Sequence, residues 1–174
     1  MILLGYIFTV LNYLLYCISR FLHNKRDRLV MDLVAKVLTI LGLDCLGSLS
    51  GAFAFIIILC SLIMANLKER LHYKWTGFYL IFQAAHIVSM ILTYQGISSV
   101  LVFITSSISL FCNWWLSPQK LRFIGGCNSL LFLTYQVSIH NWAGLFELFV
   151  TFSNFGSYIK YRRRRKRIFA KKQL

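Results

Sequence analysis

Proline occurs once in the chain, at Pro118, and acidic residues only five times. Charged residues of both signs make up 14%, where a soluble domain carries roughly a quarter together with more turn formers. A water-facing globular surface is therefore excluded. Cys-x-x-Cys pairs are also missing. The five cysteines, Cys17, Cys45, Cys60, Cys112 and Cys127, fall within or at the ends of apolar runs and read as small buried hydrophobes rather than disulfides or metal ligands. There is no H-E-x-x-H, no G-x-S-x-G, no P-loop and no metal-ligand spacing. Neither catalysis nor a cofactor nor a metal is expected.

What is present is apolar sequence: 58% hydrophobic, 16% aromatic, with a mean hydropathy of +0.66. A helix crossing about 30 Å of hydrocarbon needs about 20 such residues, and seven crossings consume roughly 140. Apolar runs separated by charged or polar breaks give seven spans, at 2–22, 29–46, 51–67, 75–94, 98–116, 123–139 and 143–159. Apolarity on all sides indicates helices, since a β-barrel shows short alternating segments. The opening MILLGYIF has no basic stretch and reads as the first span rather than a removed signal peptide.

The breaks alternate. HNKRDR, KERLHYK and SPQKLR follow spans 1, 3 and 5, whereas GSLS, QGI and HNW follow spans 2, 4 and 6 and carry no Lys or Arg. Of the 19 Lys and Arg, 18 lie on the first side or in the C-terminal block, and Lys36 alone does not. Positive-inside asymmetry puts that basic side in the cytoplasm, the N-terminus outside and the C-terminus inside. It also explains the net charge of +14 without nucleic acid, which is not an expected partner.

The same features recur at a fixed spacing. Gly51 and Gly144 sit in matching corners 93 residues apart, and the basic breaks match at 92 to 94. Spans 1–3 and 5–7 therefore read as two parallel three-helix units joined by span 4. The expected organisation is a single membrane domain over 1–160, with units at 1–74 and 98–160, a linker helix at 75–97 and a basic cytoplasmic tail at 161–174 that anionic lipid headgroups hold.

Ionisable groups inside a bilayer cost about 2.5–3.5 kcal/mol each on insertion scales, so they face the bundle interior or a wet cavity. Asp32 and Lys36, four apart on span 2, share a face and read either as an internal ion pair or as a pair that handles substrate or protons. Asp44 lies near the outer end. Glu147 shares a face of span 7 with Thr151, Asn154 and Tyr158. Asn128 and Tyr135 lie seven apart on span 6; span 5 offers Ser106, Ser109 and Asn113, and span 1 offers Thr9, Asn12 and Tyr16. Each stripe reads as interhelical hydrogen bonding or as part of a polar pathway. Gln83 and His86 on span 4 read as packing residues.

Phe132-Leu133-Thr134-Tyr135, the short turn to Gly144, then Glu147, Asn154 and a basic stop resemble the YgjV family of bacterial inner-membrane proteins. The likeness extends back through Tyr94-Gln95-Gly96 and Lys120-Leu121-Arg122, and covers the first half by pattern alone. The resemblance implies a grouping with the SWEET and PQ-loop carriers: three-plus-one-plus-three helices and a solute site between two triple-helix bundles. It makes Asn154 a solute contact in the second unit. The counterpart 93 residues earlier is Ser61, so a symmetric Asn pair is missing, and third-span Asn and Arg of the family are replaced by residues around Ile57 and Cys60. Gating prolines are absent, and Pro118-Gln119 stands at a span end. The function expected is a carrier for a small polar solute, with Asn154, Tyr135, Asn128 and Asn113 as solute contacts and Glu147, Asp32 and Lys36 as gating or proton-linked groups. The alternative is a non-transporting membrane subunit, scaffold or assembly factor, with a second copy or another membrane protein as partner.

Overall fold

The computed structural model describes residues 1–21, 25–71, 76–116 and 118–172. Within hydrocarbon every backbone N–H and C=O must find its partner inside the chain, which leaves the helix as the economical conformation for apolar runs of this length. Seven α-helices form among the described residues: α1 Ile2–Phe21, α2 Lys25–Cys45, α3 Leu49–Leu71, α4 Thr76–Leu92, α5 Ile97–Trp115, α6 Pro118–Ser138 and α7 Glu147–Lys172, with a short 3-10 segment at Trp142–Phe146. Each coincides with an expected span. Helices α2, α3, α6 and α7 run several residues further at their basic ends, because Lys and Arg are good helix formers once outside the apolar stretch. Ile2–Ser19 and Ile97–Trp115 are long and apolar enough to cross a membrane by composition alone, and Leu49–Ala65 and Gly77–Leu92 are shorter apolar helices.

Local chemistry sets the ends. Helix α5 stops where Leu116 turns extended, two residues before Pro118, which occupies the first position of α6 and gives up no helical hydrogen bond there. Helices α2 and α6 end in the same way. Gly47 and His140 both take positive φ, 75° and 55°. The next N–H reaches back five residues, Ser48 to the Leu43 carbonyl and Asn141 to the Gln136 carbonyl, both at 2.9 Å. The Gly47 and His140 N–H groups bond the carbonyls of Asp44 and Val137 at 2.9 and 3.0 Å. This pair of bonds around a left-handed residue satisfies the last helical carbonyls. Gly47 adopts that conformation without penalty; His140 does so against its Cβ.

Neighbouring helices close a ring in the order α1, α2, α3, α5, α6, α7 and back to α1, and α4 lies outside it against α3 and α5. Among the described residues α1 does not touch α3, nor α5 touch α7. Helices α1 and α2 approach closely through Gly5 and Gly42: a Cβ at Gly5 would stand 2.8 Å from Leu46 and 3.1 Å from the Gly42 carbonyl oxygen. At the end of the ring that holds the α2–α3 and α6–α7 corners, a core of Leu43, Ala52, Ala54, Phe55, Ile58, Val102, Phe132 and Tyr135 fills the centre. Toward the other end, Ala65, Leu110 and Trp114 pack α3 against α5, and the Trp114 indole N–H donates to Ser61 at 2.7 Å. The outward faces are apolar, most of all on α4, where Leu80, Ile81, Ile91 and Leu92 are exposed. Of the cysteines, all free, Cys112 is buried while Cys60 and Cys127 lie on exposed faces, so the expectation of burial fails for those two.

Candidate functional site

The polar stripe of α7 lies inside the ring. Glu147, Thr151 and Asn154 are all buried, and Tyr158 at the end of the stripe is half-buried against the Phe123 ring. Glu147 is the first residue of α7 rather than a residue one turn into it, because the chain runs through the 3-10 segment first. At that position the free N–H groups of the first turn favour a carboxylate. The 3-10 turn is forced inward by Gly144, where any Cβ would overlap the Gln136 side chain.

A buried hydrogen-bonded chain ends beside Glu147. The Tyr13 hydroxyl faces its carboxylate. Tyr13 in turn accepts from Gln136 Nε2 at 3.2 Å, and Gln136 Oε1 accepts from Asn141 Nδ2 at 2.8 Å. The same Asn141 amide lies 3.3 Å from the Thr9 hydroxyl oxygen, and Thr9 donates to the Gly5 carbonyl at 2.8 Å. Thr9, Tyr13, Gln136, Asn141 and Glu147 are all buried. The chain joins α1, the end of α6, the corner and the start of α7, and the Tyr6 hydroxyl adds a bond to the His140 carbonyl. Inside hydrocarbon such a network fixes the relative position of three helices, since each broken link leaves a polar atom without water.

Asn128 and Tyr135 share one face of α6, as expected, but take different partners. The Asn128 amide donates to the Thr105 carbonyl at 3.0 Å and to Ser109 at 2.9 Å, tying α6 to α5. Tyr135 reaches across the ring instead, with its hydroxyl 2.6 Å from that of Ser48 at the α2–α3 corner. Asn113 is half-buried on α5, and none of the hydrogen bonds among the described residues uses it. Asn154 is buried with its amide nitrogen 4.0 Å from where a Gly125 Cβ would stand, and none of those hydrogen bonds uses it either.

On α2, Asp32 accepts from Ser19 at 2.7 Å, which binds it to α1. The Lys36 ammonium points past the ring of Phe55, 4.5 Å from its centroid, with the Tyr16 ring at 5.2 Å. It therefore lies on the inward side of α2, beneath the Phe55–Phe132 contact at 5.3 Å that crosses from α3 to α6. Asp44 is exposed at the corner end. His86 is buried, bonded to Ser106 and stacked on Phe103 at 5.1 Å, and Gln83 donates to Ser107 at 3.1 Å, so both pin α4 to α5. Among the described residues no group of His, Cys, Asp and Glu is placed to hold a metal ion. The side chains of the basic block at 163–172 lie outside the described residues.

Tyr13, Gln136 and Ser48 were not singled out from the sequence. Tyr13 and Gln136 stand directly beside residues that were, Asn12 and Tyr135, and both members of each pair are buried. Gln136 had a signal: an amide in the middle of Leu133 to Ile139 requires a partner in hydrocarbon.

Apolar outer faces, inward carboxylate and amide groups and backbone satisfied within each helix define a helical, multi-pass membrane protein. The comparison with known families is specific. A family model described as a bacterial inner membrane protein matches residues 3–165, and the chain belongs to that family, the YgjV family. The protein is accordingly an inner-membrane protein. No curated protein and no solved structure matches it.

Proposed function

We propose that this protein is a carrier for a small polar solute, built as three plus one plus three helices and working by alternating access between two triple-helix bundles. The observation that carries the reading is the exchange symmetry of the ring. Replacing α1, α2 and α3 by α5, α6 and α7 turns the α1–α2 contact into α5–α6, α2–α3 into α6–α7, and α3–α5 into α7–α1. The two corner caps follow the same rule at a spacing of 93: Leu43 and Gln136, Gly47 and His140, and Ser48 and Asn141 play equivalent backbone parts. The spacing is the one read from Gly51 and Gly144. Helix α4, outside the ring, serves as the linker that lets both units run in the same direction. With the basic breaks cytoplasmic, the corners face outward, the N-terminus is outside and the C-terminus inside.

In this arrangement Asn154 is the leading solute contact, because it is buried on the inward stripe of α7 with Thr151, whose hydroxyl has no hydrogen-bond partner among the described residues, and a carrier needs such groups to replace the solute's hydration shell. Asn113 joins it from α5, and Asn128 and Tyr135 contribute only after exchanging their present partners. Glu147, beside the Tyr13 hydroxyl that Gln136 and Asn141 connect to the corner, is the proton-linked group; Asp32 and Lys36 act at the cytoplasmic half.

Flux into proteoliposomes tests this. A small-metabolite panel is expected to yield one class of solute that moves with wild-type protein and not with Asn154→Ala. Folded protein that moves nothing across the panel refutes the reading. The engaged state of Asn128, Tyr135 and the Glu147 chain favours a second reading, a non-transporting membrane subunit whose polar groups only join helices. Under that reading Asn154→Ala and Glu147→Gln change stability or partner retention and no flux.

A further inference from the structure

We infer that Tyr135 is a one-sided latch that closes the interior of the ring at its corner end. The inference rests on the two-bundle reading above. Tyr135 leaves α6 in the second unit and is fully buried. Its hydroxyl meets Ser48 at the α2–α3 corner of the first unit at 2.6 Å. Helix α6 and the end of α2 stand opposite one another in the ring, so this bond spans the space that any solute entering from the corner end must cross.

The seat is shaped for it. A Cβ at Gly51 would fall on the Tyr135 hydroxyl, so glycine there is what lets the phenol reach Ser48. Below the hydroxyl, the Tyr135 ring lies 5.4 Å from Phe132, and Phe132 lies 5.3 Å from Phe55 of the opposite unit. Three rings thus form a layer across the centre, with the Lys36 ammonium on its far side, 4.5 Å from the Phe55 ring. The other inter-unit bonds at this end run from Tyr6, Thr9 and Tyr13 of α1 to the α6–α7 corner and to Gln136 in the last turn of α6, away from the α2–α3 corner.

Exchange symmetry would place a second latch 93 residues before Tyr135, and that position is Gly42, which packs against Thr9 and Gly5 of α1. Closure between α6 and the α2–α3 corner therefore depends on one hydroxyl pair and one aromatic layer. A single buried hydrogen bond is worth roughly a five- to tenfold change in an equilibrium, enough to bias two states and weak enough for a bound solute to reverse.

The test reads access and needs no substrate. Ala54 belongs to the buried core at this end, and Ala54→Cys in a background free of the five native cysteines is the reporter. A membrane-impermeant maleimide is applied to right-side-out and to inverted vesicles. Tyr135→Phe, and independently Ser48→Ala, is expected to raise the labelling rate from the corner side about fivefold, with no rise from the opposite side. Size-exclusion profiles establish that both variants are folded. Unchanged labelling in both, or an equal rise from both sides, overturns the latch. Shifted access in a protein that moves no solute leaves the latch standing and removes transport; solute flux with unchanged access does the reverse.

Discussion

Gly144→Ala isolates the contact that holds the α6–α7 corner. The added methyl lands on Gln136 Cβ and comes within 2.8 Å of Cγ and 3.3 Å of Cδ, where unstrained carbon contacts are about 3.5–4.0 Å. Overpacking of this kind costs about 1–3 kcal/mol. Gln136 cannot yield freely, because its amide is held from both ends by Tyr13 and Asn141. If it does yield, two hydrogen bonds of about 1 kcal/mol each are lost. The two routes together bracket a loss of about 1–3 kcal/mol, or a fall in Tm of about 2–12 °C for a chain of this size. Gly125→Ala is the matched control, since its nearest neighbour is the Asn154 amide nitrogen at 4.0 Å, an ordinary contact. Alanine in mid-helix there adds about 0.5–1 kcal/mol of helix stability. With Cys17, Cys45, Cys60 and Cys127 replaced by serine, a thiol-reactive fluorophore gives the readout in detergent, because the buried Cys112 becomes reactive only on unfolding. Equal melting of Gly144→Ala and wild type, or an equal fall in Gly125→Ala, would refute the packing argument.

The two corner caps predict opposite responses. His140→Gly relieves a left-handed residue and is expected to raise Tm slightly or leave it unchanged, whereas Gly47→Ala places a Cβ at φ 75° and costs about 1 kcal/mol, read in the same melts. Asn128→Leu removes both bonds from α6 to α5 and is expected to lower stability by about 1–2 kcal/mol in thermal unfolding, with Asn113→Leu near neutral as comparison. Trp114→Phe loses the donor to Ser61 and weakens the contact with Lys68, whose ammonium lies 5.0 Å from the indole centroid; a loss of about 1–2 kcal/mol is expected, visible as a lower melting midpoint.

Much of the fold was legible because the bilayer allows few alternatives. Apolar length and the basic and neutral breaks place every helix, and glycines 93 apart give the register in which the Leu43–Ser48 and Gln136–Asn141 caps later coincide. The rotation of each helix was harder to read. An all-round apolar helix has no polar face to fix its azimuth, so a reading of α6 could pair Asn128 with Tyr135 when one turns to α5 and the other crosses the ring. Glu147 was recognisable as a buried carboxylate, yet its partner Tyr13 lies on a helix 134 residues away and depends on how α1 and α7 meet. Gly144 looked like a corner marker and is also a packing requirement, which only the position of Gln136 reveals.

Helix α7 carries one more consequence. It runs 26 residues from Glu147 to Lys172 as a single element, which at 1.5 Å per residue is about 39 Å, against about 30 Å of hydrocarbon. The rod is longer than the slab that contains it, so its basic end must emerge or the whole helix must lean. Whatever grips that end, including charged headgroups, acts with a long arm on the opposite end, where Glu147 and Tyr13 meet. A tilt imposed at the Lys172 end would therefore be carried along one stiff shaft to the buried carboxylate.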